Sequence, residues 1–132
     1  MEENNKINII NPTGCHIWKM ESFDDSSVDT SIAHSFESIK EYLDDSHDIR
    51  RLVRCEQCHQ PYYYSFYEWI DWVGGNDPQY RTWIPVAAEE DADALALLSP
   101  FELLQYFPRL QSDWPADADR PKTWWNRESI TK

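Results

Sequence analysis

Only three glycines stand among the 132 residues, which leaves few positions for the backbone angles that glycine alone adopts freely. Phosphate-cradling loops are missing accordingly. Neither G-x-x-x-x-G-K-[ST] nor G-x-G-x-x-G occurs, and G-x-S-x-G and H-E-x-x-H are missing too. No apolar run approaches the ~20 residues that carry a helix across a bilayer. The start, Met1-Glu2-Glu3-Asn4-Asn5-Lys6, lacks the basic and then apolar order of a secretory signal. The expected compartment is the cytoplasm, where cysteines serve as metal ligands or free thiols rather than as disulfides. Positive charge is scarce: 12 Lys and Arg face 24 Asp and Glu, a formal net charge of −12. Such a field repels nucleic acid and anionic membranes and attracts basic proteins.

What the chain has in quantity is rings. Aromatics are 14% of it, with seven Trp and seven Tyr, and a chain of this size hides roughly two-thirds of its unfolded surface. One domain over residues 1–132 is expected, with the Trp- and Pro-rich segment 110–132 laid down upon it. Lys6 to Ile10 reads as a short strand, stopped by the turn Asn11-Pro12-Thr13-Gly14, and His16 to Met20 as a second. Ser26-Ser27-Val28-Asp29 has capping-box spacing, and Ile32, Phe36, Ile39 and Leu43 follow at helical intervals. That pattern predicts an amphipathic helix ending near Leu43.

Ile49 to Cys55 reads as a strand. Tyr62 to Val73 is too aromatic and β-branched for a helix and predicts a long strand, with Tyr64, Phe66, Ile70 and Trp72 on its core face. Tyr80 to Val86 returns as its hairpin partner, with Pro85 marking an edge or an ending. Glu89 to Leu98 reads as a helix with acids at its N-terminus. Ser99-Pro100-Phe101-Glu102 supplies the cap of another. The fold class expected is α+β: a small antiparallel sheet built on a Cys knuckle and the aromatic hairpin, packed against two or three helices.

The knuckle itself is Cys55-Glu56-Gln57-Cys58-His59. Two thiols three positions apart on a tight turn can grip one metal ion from one side. With a basic strand before it and an aromatic strand after it, this stretch of about ten residues resembles a zinc-ribbon knuckle, although the second C-x-x-C of a ribbon is missing. One structural zinc ion is expected on Cys15, Cys55 and Cys58, with His16 or His59 as the fourth ligand. Either histidine adjoins a ligating cysteine and needs a turn there to face the same way. The run Cys55 to His59 also matches the c-type haem attachment pattern, which belongs to exported proteins, and no export signal accompanies it. A redox dithiol opens a helix; here a strand follows.

Glu68 and Asp71 fall on opposite faces of their strand and cannot make an acid/base pair there; Glu68 is expected to meet Arg81 across the hairpin or to be buried with a partner, and His47 to partner carboxylates. Nine acids and one base lie between Glu21 and Asp48. Glu37, Glu41, Asp44, Asp45 and Asp48 form a candidate docking face for a basic partner, beside rings of the kind that anchor interfaces. The function expected is therefore binding. The chain reads as an acidic inhibitor or immunity-type protein, bacterial or phage, that blocks the active cleft of a basic toxin or nuclease. The alternative is a structural zinc-knuckle adaptor in a larger complex. Third comes a small hydrolase or redox enzyme using Cys and His.

Overall fold

Antiparallel pairing organises the molecule. The computed structural model describes residues 7–20, 35–69, 78–114 and 122–127. They form one sheet of six strands that neighbour one another in chain order. The strands are β1 (Phe36–Asp45), β2 (Asp48–Cys55), β3 (Pro61–Glu68), β4 (Gln79–Pro85), β5 (Arg109–Trp114) and β6 (Lys122–Asn126). One α-helix, α1 (Glu89–Leu95), and two 3-10 turns, His16–Lys19 and Glu102–Gln105, complete the regular structure among the described residues.

The chain is thus largely β, and the expectation of α+β with two or three helices is wrong. The main error is the predicted helix ending at Leu43, because Phe36 to Asp45 is the edge strand β1. Its apolar residues recur at helical intervals, but Ile39 and Leu43 are exposed. What holds the segment is pairing: Phe36 opposes Cys55, Glu37 opposes Arg54 and Glu41 opposes Arg51. Two irregularities, between Ser38 and Lys40 and between Glu41 and Leu43, break the two-residue alternation that would have betrayed a strand. Tertiary pairing overrode a local period. The start of that predicted helix, from Ser26 through Ile32, lies outside the described residues, as do Ile70 and Trp72.

Smaller corrections follow the same logic. His16–Lys19 is a 3-10 turn rather than a strand. The stretch around Ile9 makes a single antiparallel bridge to Val86. The capping box at Ser99 forms, with Ser99 N–H donating to Glu102 Oε1 at 2.8 Å and Glu102 N–H to Ser99 Oγ at 3.2 Å. It opens a 3-10 turn, not an α-helix.

Adjacent residues of a strand point to opposite sides of the sheet. Tyr62 and Tyr63 are both 0% exposed, and the sheet is therefore covered on both faces at this point. On one side Cys15, Ile17, Val53, Cys55, Tyr62, Trp83 and Leu110 form a core, with Trp18, Phe36 and Trp125 packed on it. On the other, Leu52, Tyr63, Ile84 and Val86 meet Ala92 and Leu95 of α1 and Leu103 of the second 3-10 turn. Cys15, Ile17, Trp18 and Met20 cover the first face; α1 and the second 3-10 turn, with Ile7 and Ile9 beside them, cover the other. Asp91 ties the N-terminal segment to the helix: its carboxylate accepts from Asn8 N–H at 2.9 Å and from Ala88 N–H at 3.1 Å. Trp125 of β6 locks the other end, its indole N–H donating to Ile17 O at 2.9 Å. No helix among the described residues is long and apolar enough to cross a membrane.

Candidate functional site

The buried thiols lie where the N-terminal segment crosses the end of β2. A turn closes Asn11 to Cys15, with Cys15 N–H donating to Pro12 O at 2.9 Å. Cys15 itself is extended (φ −93°, ψ 132°), and the 3-10 turn begins at the next residue. That change of backbone supplies the corner adjacency demands, and Cys15 and His16 converge rather than diverge. Cys55 ends β2, and the chain then turns: His59 N–H donates to Cys55 O at 2.8 Å and Cys55 N–H to Gln60 O at 2.9 Å. His59 closes this turn with φ 67°, the left-handed region that glycine favours.

The result is a Cys–His–Cys group. One ligand atom from each of Cys15, His16 and Cys55 lies within 4.8 Å of the other two. The group could hold a metal ion. Cys55 Sγ and His16 Nδ1 are 3.7 Å apart. Tetrahedral angles with Zn–S near 2.3 Å and Zn–N near 2.05 Å put two such ligands about 3.6 Å apart. Cys15 and Cys55 are 1% and 0% exposed. Cys58, at the exposed tip of the knuckle, lies outside this tight group, yet its thiol interacts with those of both Cys15 and Cys55. His59 is exposed and does not belong to the group.

Donors surround the sulfurs. Tyr62 Oη donates to Cys15 Sγ at 3.2 Å. Burial pushes the Cys15 thiol up, to about 11, and the Tyr62 hydroxyl and Ile17 amide only partly offset it. Burial opposes ionisation of Cys55 as well, but there the amides of Cys58 and Gln57, with the neighbouring thiols, outweigh it, and the Cys55 thiol sits below its usual value. Burial, and then the bond to Cys15, raises the Tyr62 hydroxyl far above its usual value, which keeps it a donor. Hydrogen bonds of this kind orient metal ligands and tune them.

The acidic residues singled out from the sequence are placed differently from the expected helix face. Glu37, Glu41, Asp44 and Asp45 lie along β1, roughly 26 Å from first to last at strand spacing. Two of them are tied to arginines of β2. Arg54 Nε meets Glu37 Oε1 at 3.0 Å, and Arg51 Nη2 meets Glu41 Oε2 at 3.9 Å. Asp45 Oδ1 accepts from His47 N–H at 3.1 Å inside the hairpin turn. Asp48 is half-buried and grips Arg50 through two bonds of 2.9 Å, and Arg50 reaches on to Ala96 O at 2.8 Å. Asp48 thus belongs to the scaffold. Glu68 bonds His47 at 3.1 Å, in place of the expected Arg81, which lies 4.8 Å over the Phe66 ring.

A further concavity escaped the sequence reading. It has a volume of about 170 Å³ and sits on the α1 side of the sheet, lined by Tyr67, Tyr80, Gln111 and Asp113 beneath Phe101 and Leu104. Its floor is Ser65 of β3, Thr82 of β4 and Gln111 of β5, all buried although polar, and the first four residues of β5 are buried without exception. Hydropathy does not alternate there, and only the spacing of Gln111 and Asp113 two apart could have placed them on one face. Comparison with known proteins finds no matching family model, no similar curated protein and no similar solved structure.

Proposed function

We propose that the protein is an acidic protein-binding domain, an inhibitor or immunity-type protein that neutralises a basic toxin or nuclease by covering its active cleft. In this reading the fold is pinned by one structural zinc ion on Cys15, His16, Cys55 and Cys58. The observation that carries the binding reading is the edge strand β1. Glu37, Glu41, Asp44 and Asp45 stand exposed along a strand with no further neighbour among the described residues, on a chain of net charge −12. Rim carboxylates of this kind steer a cationic partner and set its association rate.

Zinc is supported by the donor set. Thiolate and imidazole are the ligands that structural zinc takes, usually four of them. Cys15 and Cys55 are buried, and a buried cluster under an N-terminal strap serves structure better than turnover. The ion would bond the strap to the end of β2, and binding energy at such a site is folding energy. The chain's own residues supply the rest: Tyr62 and the amides of Ile17, Gln57 and Cys58 stabilise the sulfurs.

The test is retention of partners by the immobilised protein from the native cell, at low and high salt, beside an Asp44→Lys/Asp45→Lys variant. Asp48 is left intact because it holds Arg50. A basic protein retained by the wild type at low salt, released by salt, lost from the variant and inhibited in its own toxic or nucleolytic activity is the expected result. Partners held equally by both proteins and indifferent to salt would remove the acidic strand from the account. One observation favours the adaptor alternative: the knuckle from Glu56 to His59 is exposed throughout. In that case substitutions at Gln57 and His59, not on β1, would release the partner.

A further inference from the structure

The concavity on the α1 side combines ring faces with one carboxylate. Its volume, about 170 Å³, is more than ten times the roughly 10–15 Å³ that admits a single water. Tyr67 of β3 and Tyr80 of β4 stand directly opposite each other. Phe101 meets Tyr67 edge-on at 5.7 Å and Trp69 at 6.5 Å. Phe101, Leu104 and Trp69 are 56%, 41% and 51% exposed, an apolar lip open to a ligand.

The polarity of the floor is set by a chain of hydrogen bonds. Thr82 Oγ1 donates to Gln111 Oε1 at 2.9 Å, and Arg109 Nε donates to the same oxygen at 3.3 Å. With that oxygen claimed by two donors, the Gln111 amide must turn its N–H to Asp113, whose Oδ1 accepts it at 2.7 Å. Arg109 does not line the space. Its Nη1 donates to Leu104 O at 2.7 Å and Tyr106 O at 3.2 Å, and the guanidinium lies 4.7 Å over Phe107. Among the described residues, the charged group facing the concavity is therefore the carboxylate. Burial pushes the Asp113 carboxyl above its usual range, and Gln111 and Arg109 offset this only in part. An incoming cation would relieve that cost.

We infer that this pocket receives an alkyl cation, the guanidinium or ammonium end of an arginine or lysine side chain on a basic protein, between Tyr67, Tyr80 and Phe101 and against Asp113. Ring faces attract such cations, and a carboxylate adds a charge-assisted hydrogen bond. The source of the cation rests on the proposed binding function; the chemistry of the pocket does not.

The test needs no partner. Nα-acetyl-arginine methylamide is titrated into the isotope-labelled protein and followed by amide NMR, beside its neutral citrulline counterpart. Shifts should centre on Tyr67, Tyr80, Gln111 and Asp113, and citrulline should bind at least ten-fold more weakly. Asp113→Asn should lose a similar factor, and Phe101→Ala, on the exposed lip, should weaken binding with the fold intact. Equal binding of arginine and citrulline, or shifts scattered along β1, would overturn the inference without touching the docking role of the acidic strand. A hexapeptide with one central arginine among neutral residues should bind at least as tightly as the free derivative. A pocket that takes the derivative and refuses the peptide would assign it to a small-molecule cation and refute the protein side chain as occupant.

Discussion

Replacing Tyr62 by Phe removes one oxygen from the wall of the thiol cluster and little else. The Tyr62 ring is fully buried, and its hydroxyl donates to Cys15 Sγ at 3.2 Å. The size of the effect depends on what the sulfur is. A hydrogen bond to a neutral thiol contributes about 1 kcal/mol, whereas one to a metal-bound thiolate is charge-assisted and contributes about 1.5–3 kcal/mol. The difference is stored in the metal complex. At about 1.4 kcal/mol per factor of ten, a difference of about 0.5–2 kcal/mol means that Tyr62→Phe should weaken zinc affinity by about 2–30-fold, overlapping the low end of what loss of an outer-shell partner does. Zinc affinity is measured by competition with a chromophoric chelator, and stability by urea denaturation with zinc present and after its removal. The Tyr62→Phe penalty should be larger with zinc than without. An unchanged zinc affinity, or a penalty that ignores the metal, would show that Cys15 is a neutral core thiol and the Tyr62 bond ordinary packing.

His59→Gly should leave zinc content unchanged and stabilise the protein by up to about 1 kcal/mol, because φ 67° costs a side chain that glycine lacks; His16→Ala should lower zinc content instead, and elemental analysis separates the two. Asp91→Ala strands the N–H groups of Asn8 and Ala88 and should cost about 1–3 kcal/mol by urea denaturation, with Asp91→Asn recovering part of it. Asp113 supplies a pH signature. Its folded carboxyl is raised by burial, so its contribution to stability is present below the unfolded value near 3.9 and is lost as pH rises through the folded value. Asp113→Asn should gain stability relative to wild type between pH 3 and pH 7, read from urea midpoints at each pH; a constant difference would refute the raised carboxyl.

Parts of this architecture are legible in the chain and parts are not. The strands on either side of the knuckle show because Leu52, Val53 and the tyrosine run carry strong strand character and the turn between them is short. α1 shows because three acids stand at its N-terminus. β1 is hidden by its two irregularities and by residues whose partners, Arg51 and Arg54, are identified only once the hairpin is closed. β5 is hidden by burial on both faces, which replaces alternation with the polar set Arg109, Gln111 and Ser112. The cysteines are easy to single out, but the choice of His16 depends on a backbone corner after Cys15 that no local pattern announces. The pocket at Asp113 needs three strands and a 3-10 turn in register, which is information distributed over the 49 positions from Ser65 to Asp113.

Whether zinc pins the N-terminal strap to the end of β2 is decided by the metal content of the cluster. Protein purified without chelator should carry close to one equivalent of zinc by elemental analysis. Cys55→Ser should lose that zinc together with a large part of the thermal stability, since the proposed ion would join the N-terminal strap to the sheet. Wild-type protein free of metal, with a melting temperature that added zinc leaves unchanged, would show that the cluster is a set of unmetallated thiols.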